Sequence, residues 1–161
     1  MRSSSKTGRG NILISGSQKL EKLDRAGLRR DVRKILKLLG VGERELSLML
    51  VDDAQIRTIN RDYLGKDRTT NVISFSLSEG TFGEVNPGML GDVVVSVETA
   101  AREARVAGIP VGDAVVNLIL HGILHLTGYD HGKSSGRARV MSAVQEAIFL
   151  EIRGYRLSVT L

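Results

Sequence analysis

From Asn11 onward the apolar residues fall into segments with two distinct periods. NILISG (11–16) reads as a short strand. Over residues 17–39, Leu20, Leu23, Leu28, Val32, Ile35, Leu36 and Leu39 recur near helical spacing among lysines and arginines, which predicts an amphipathic helix ended by Gly40 and Gly42. LSLMLVDD (46–53) is almost wholly apolar, the mark of a strand inside a sheet. Asp53 is then placed to cap a helix running to about Tyr63, with Ile56, Ile59 and Tyr63 turned inward. LGKDRTT (64–70) is a polar loop, NVISFSL (71–77) a third strand and EGTFGEVNPG (79–88) a glycine-rich excursion. LGDVVVSV (90–97) is the fourth strand. Three helices follow: 96–108, with Glu98 near its start and Gly108 at its end; Asp113 to about Thr127; and roughly 135–153.

The order β-α-β-α-β-β-α-α-α predicts one layered α/β domain whose sheet is partly antiparallel. No internal repeat or linker divides it, so residues 11–161 read as a single domain behind a basic tail, residues 1–10, expected to be disordered. The chain has no cysteine, so any metal must be held by His, Asp or Glu. The formal charge of +5 is less informative than it looks, because Arg2, Lys6 and Arg9 supply +3 and leave +2 for the rest. That balance is weak evidence for a nucleic-acid partner. No apolar run approaches the roughly 20 residues of a membrane span, and the N-terminus does not read as a secretory signal. The expected compartment is the cytoplasm, with no membrane partner.

The chemistry concentrates in HGILHLTGYDH (121–131), which holds all three histidines of the chain. His121 and His125 are four apart and share one helix face. Gly128 lets the chain leave the helix and turn, bringing back His131 as a third ligand. Two unpartnered imidazoles on so apolar a helix would each cost roughly 1–3 kcal/mol of desolvation, which favours metal binding over incidental histidines. Three imidazoles leave one tetrahedral position for water, the pattern of a catalytic zinc site, with one ion per chain. The spacing is that of the zinc-peptidase signature H-E-x-x-H-x-x-G-x-x-H, except that Gly122 stands where the glutamate would be. Gly122 is expected to leave room beside the metal. Zinc-bound water ionises near pH 7 without a protein base, so the general acid and base remain unassigned.

The run HGILHLTGYDH resembles the signature of the YbeY family of bacterial endoribonucleases. INRDYLGKDRTTNVISFS (59–76), LGDVVVS (90–96) and EAIFLEIRGY (146–155) resemble its other segments, in the same order. The resemblance implies an α+β fold, a mixed four-stranded sheet with flanking helices, similar in shape to the zinc peptidases. It implies zinc on His121, His125 and His131, and cleavage of single-stranded RNA in 3′-end maturation of small-subunit ribosomal RNA and in ribosome quality control. The implied partners are ribosomal RNA, the small ribosomal subunit and an Era-type GTPase. Lys66, Asp67, Thr70, Asn71 and Ser74 fall in a second family signature beside the metal cleft. Of these, Lys66, Asn71 and Ser74, with Arg68, are candidate substrate contacts, and Asp67 reads as structural.

The chain departs from the family at Leu64, where arginine usually follows the tyrosine, and at Ser76, where proline is usual. Lys133, Arg137 and Arg139 replace a usually acidic stretch. Asp92 and Asp130 are the carboxylates to inspect for orienting a ligand, and Met141 reads as core. Two other functions are open to these residues: a non-catalytic, metal-stabilised ribosome assembly factor, and a metallopeptidase, which the absence of glutamate opposes.

Overall fold

The computed structural model describes residues 9–16, 23–77, 88–129 and 135–157. Four strands and five helices lie among them: β1 (Ile12–Gly16), α1 (Arg25–Leu38), β2 (Glu45–Val51), α2 (Asp53–Leu64), β3 (Val72–Ser76), β4 (Met89–Ser96), α3 (Val97–Ala107), α4 (Val111–Leu126) and α5 (Ser135–Arg153). The sheet order is β1-β2-β4-β3. β1, β2 and β4 run parallel, while β3 pairs antiparallel with β4 at the edge. The element order and the mixed sheet agree with the sequence pattern.

Alternation along the strands builds two apolar layers. Leu46, Leu48, Leu50, Leu90, Val93 and Val95 join residues of α1, α3, α4 and α5 in the main core. Val51, Ile73 and Val94 meet Ile56 of α2 in a smaller cluster. α4 is the central helix, with Ala114 to Leu120 continuously buried. Met141 lies in the main core, as expected.

Three local expectations need correction. The first helix starts at Arg25, because the Asp24 side chain caps it by accepting from the Gly27 amide at 2.9 Å. Leu20 and the rest of 17–22 lie outside the described residues, as do residues 1–8 of the expected tail. The second helix is capped by Asp52, in a reciprocal capping box with Gln55. Asp53 becomes its first residue and is released to accept hydrogen bonds from Ser96 and Thr99 of the β4–α3 junction, each 2.6 Å long. Tyr63 is not inward: it is 74% exposed, touching Phe75 edge-on. Asn60, buried at the same inward stripe, was not anticipated.

A polar cluster fastens the last helix to the body. Arg153 Nη2 donates to Asp31 of α1 at 2.6 Å, and its Nε lies 2.7 Å from Asp113 of α4. The Tyr155 hydroxyl donates to Asp113 at 2.6 Å. Burial, this hydrogen bond and the Asp113 charge push the Tyr155 phenol up to about 12. A raised acid pKa means that the folded state holds the proton more tightly. Its contribution to stability is therefore complete below about pH 10 and is lost as pH rises towards 12. Chemical denaturation across that window should show an alkaline decline that is shallower in Tyr155→Phe than in wild type.

Candidate metal centre

α4 carries one polar stripe on an otherwise apolar surface: Asp113, Asn117, His121 and His125, at successive four-residue steps. The helix runs to Leu126, Thr127 caps it through its hydroxyl to the Ile123 and Leu124 carbonyls, and Gly128 turns the chain at φ 97°. That is the turn the sequence anticipates. The two imidazoles meet at their outer nitrogens, with His125 Nε2 3.2 Å from His121 Nε2. Two nitrogens bound to one tetrahedral zinc at 2.0–2.1 Å would lie about 3.3–3.4 Å apart, so the pair fits such an ion. Imidazole nitrogens suit zinc among other transition metals. The expected third ligand, His131, lies outside the described residues, as do Asp130 and Lys133. Among the described residues no group of three or more potential ligands assembles.

On its inner side His121 places Nδ1 2.8 Å from Gln145 Oε1 of α5. Gln145 in turn donates through Nε2 to Asn117 Oδ1 at 3.0 Å. Sequence reading missed both residues. Asn117 carried a signal, since an amide within a buried apolar helix needs a partner; Gln145 carried none on an amphipathic terminal helix.

Gly122 does not open space near the histidines, contrary to expectation. A Cβ built there would lie 2.8 Å from Val93 Cγ1 and 2.9 Å from Ser74 Oγ. Position 122 faces the sheet, and the glycine is what lets α4 approach β3 and β4. Ser74 completes the junction by donating its hydroxyl to the Gly122 carbonyl at 2.9 Å. Val93 packs on this side of β4, so Asp92 beside it points to the opposite face, away from α4. It is not placed to orient a histidine there.

The other signature residues form the approach to β3. Asn60 of α2 donates to the Arg68 carbonyl at 2.9 Å and accepts the Lys66 amide through its own carbonyl at 3.2 Å, holding the loop to the helix. Lys66 and Arg68 project from this loop with exposed side chains. Asp67 pairs with Arg57 at 2.9 Å on the surface, a structural contact that solvent largely screens. Asn71 donates to Glu103 of α3 at 3.1 Å. Leu64 is exposed on the last turn of α2, and Arg137 and Arg139 are exposed on α5.

A mixed four-stranded sheet packed against a buried helix bearing paired histidines makes this an α+β domain. The Endoribonuclease YbeY family model matches residues 13–153, and the chain belongs to this family. It is 46% identical to the Endoribonuclease YbeY of Syntrophus aciditrophicus, over 91% of this chain and 92% of that one. Identity to the Geobacter sulfurreducens protein of the same name is 49%, over 86% and 93% of the two chains. The solution structure of a Thermotoga maritima protein superposes with a TM-score of 0.64 at 28% identity, covering 89% of this chain and 90% of that one. No single helix among the described residues is long and apolar enough to cross a membrane.

Proposed function

We propose that this chain is a zinc-dependent endoribonuclease cleaving single-stranded RNA, with ribosomal RNA of the small subunit as its substrate. The observation that carries the reading is the pair of converging imidazole nitrogens on α4 in a chain of the YbeY family. His121, His125 and His131 would hold the ion, which when bound supplies an ionised water at neutral pH and charge for a phosphate oxygen. Lys66 and Arg68, on the loop that Asn60 holds in place, are the candidate contacts to the RNA backbone. Asn71 and Ser74 act through the fold, setting β3 against α3 and α4.

Charge also supports a polyanionic substrate once it is read in three dimensions. α1 carries Arg25, Arg29, Arg30, Arg33, Lys34 and Lys37, and its one acid, Asp31, is engaged by Arg153. Burial first, and then the neighbouring charges of Arg9 and Arg29, pull Arg33 below its ordinary pKa, and those two like charges add to the positive crowding on this helix. Phosphates would relieve that crowding, and such binding weakens steeply with salt. Aromatic residues are only 4% of the chain, which disfavours extensive base stacking and hence strong sequence preference. Selection of a cleavage site would then depend on partners such as the small ribosomal subunit or an Era-type GTPase, in the cytoplasm. The peptidase reading is weakened further, because a side chain at position 122 would start against Val93 and Ser74.

The test is cleavage of a labelled single-stranded RNA by purified protein, before and after chelation and with zinc restored. Cleavage that stops on chelation and returns with zinc is expected. Protein that binds zinc and RNA yet never cleaves would replace this reading with that of a non-catalytic assembly factor.

A further inference from the structure

We propose that Gln145 is a positioning residue for His121, holding the imidazole proton on Nδ1 and so presenting Nε2 as the metal-binding nitrogen. The inference rests on the metal site proposed above, and concerns how this chain builds that site.

The direction of each hydrogen bond follows from chemistry. A carboxamide has one accepting end and one donating end. Gln145 faces His121 with one end and Asn117 with the other. The Asn117 side chain alone would not decide which end is which, because its own amide can turn. The Asn117 backbone carbonyl does decide it: it can only accept, and it lies 3.4 Å from the same Gln145 atom that reaches Asn117 Oδ1. That atom must therefore be the NH2 nitrogen. Gln145 Oε1 is left facing His121 Nδ1 at 2.8 Å, and an oxygen there requires a proton on the ring nitrogen. With Nδ1 protonated, neutral His121 keeps its lone pair on Nε2, the atom that meets His125.

The arrangement is also built rather than incidental. Asn117 is buried on α4 one helical step before His121, so the group that orients Gln145 and the group that Gln145 orients share one stripe. Met141 and Ile148, buried on α5 on either side of Gln145 in sequence, seat that helix in the core. A ligating histidine commonly gives its second N–H to a carboxylate, a backbone carbonyl or water, and such partners set both orientation and basicity. A carboxamide orients the ring without lending it negative charge. Gln145 therefore fixes geometry while leaving His121 a less basic ligand than a carboxylate partner would.

Two variants separate positioning from packing. Gln145→Leu keeps the bulk and removes the acceptor; Gln145→Glu keeps an acceptor toward His121, and the Asn117 side-chain amide can turn to donate to its other oxygen while the longer contact to the Asn117 backbone carbonyl is lost. Zinc affinity is read by competition with a chelator, and the His121 tautomer by nitrogen NMR of metal-free protein labelled at its three histidines. The expected result for Gln145→Leu is a zinc affinity lower by about 10–100-fold, with His121 moving away from the Nδ1–H form. Gln145→Glu should retain that form and bind zinc as tightly as wild type or more so. Wild-type affinity and tautomer in Gln145→Leu would overturn the proposal, as would equal loss in both variants, which marks a packing role. Wild-type protein that binds no zinc would refute the metal site itself, and the metal-free tautomer would still report on Gln145.

Discussion

Alanine at His121, His125 or His131 should each abolish stable zinc binding, and RNA cleavage with it. Removing only an outer partner of a ligand already costs about 10–100-fold in affinity, so removing a ligand should cost more. Metal content after dialysis is the direct measurement. Thermal stability offers a second, because a ligand at a hundred times its dissociation constant stabilises the folded state by about 2.7 kcal/mol. Zinc should raise the unfolding midpoint of wild type and not that of the three variants. Full occupancy in all three would sink the three-histidine site. Full occupancy in His131→Ala alone would mean that another group completes the pair on α4.

The second large effect is expected at Gly122. Glutamate there would complete the peptidase signature in sequence, yet it should destabilise the protein rather than confer activity. Its Cβ would sit 2.8 Å from Val93 Cγ1, and overpacking of this kind costs about 1–3 kcal/mol. A carboxylate forced into the helix–sheet junction without a partner adds several kcal/mol more. Against a total stability of about 5–15 kcal/mol, a loss of 3 kcal/mol or more is substantial. Gly122→Ala should cost less, because it adds the Cβ without a carboxylate to bury, and alanine recovers about 1 kcal/mol of helix propensity against the clash. Adding Val93→Ala to Gly122→Ala should give back part of the clash penalty, since the methyls that the new Cβ meets are then gone. Urea unfolding of the single and double variants checks both statements. Wild-type stability in Gly122→Glu would contradict the close approach of α4 to the sheet.

Much of this architecture was legible in sequence because periodicity and burial agree. Leu46, Leu48 and Leu50 alternate with partly exposed neighbours, and the buried run of α4 is apolar except at Asn117. The two helix histidines were legible because a four-residue step fixes their common face. The missed features depend on what a segment packs against. Tyr63 shares the azimuth of Ile56, but it stays exposed near the end of α2 and meets the Phe75 ring in an edge contact. Gly122 looked like a vacancy because no sequence rule states how near a helix lies to its sheet. Gln145 was invisible for a related reason: it meets His121 across 24 positions of sequence, through a helix-to-helix contact that periodicity does not encode.

That contact has a consequence for the order in which the protein can mature. During synthesis the chain emerges from its N-terminus, so β1 through α4 are available before α5 exists. The sheet and α4 can collapse on one another at that stage, with His121 and His125 already on their common face. The partner that aims His121 is made later, and the cluster that fastens α5, Arg153 with Asp31 and Asp113, closes only at the far end of that helix. On the proposed role of Gln145, an emerging chain holds His121 before it holds the group that orients it. Docking of α5 is then the step that brings Gln145 to His121.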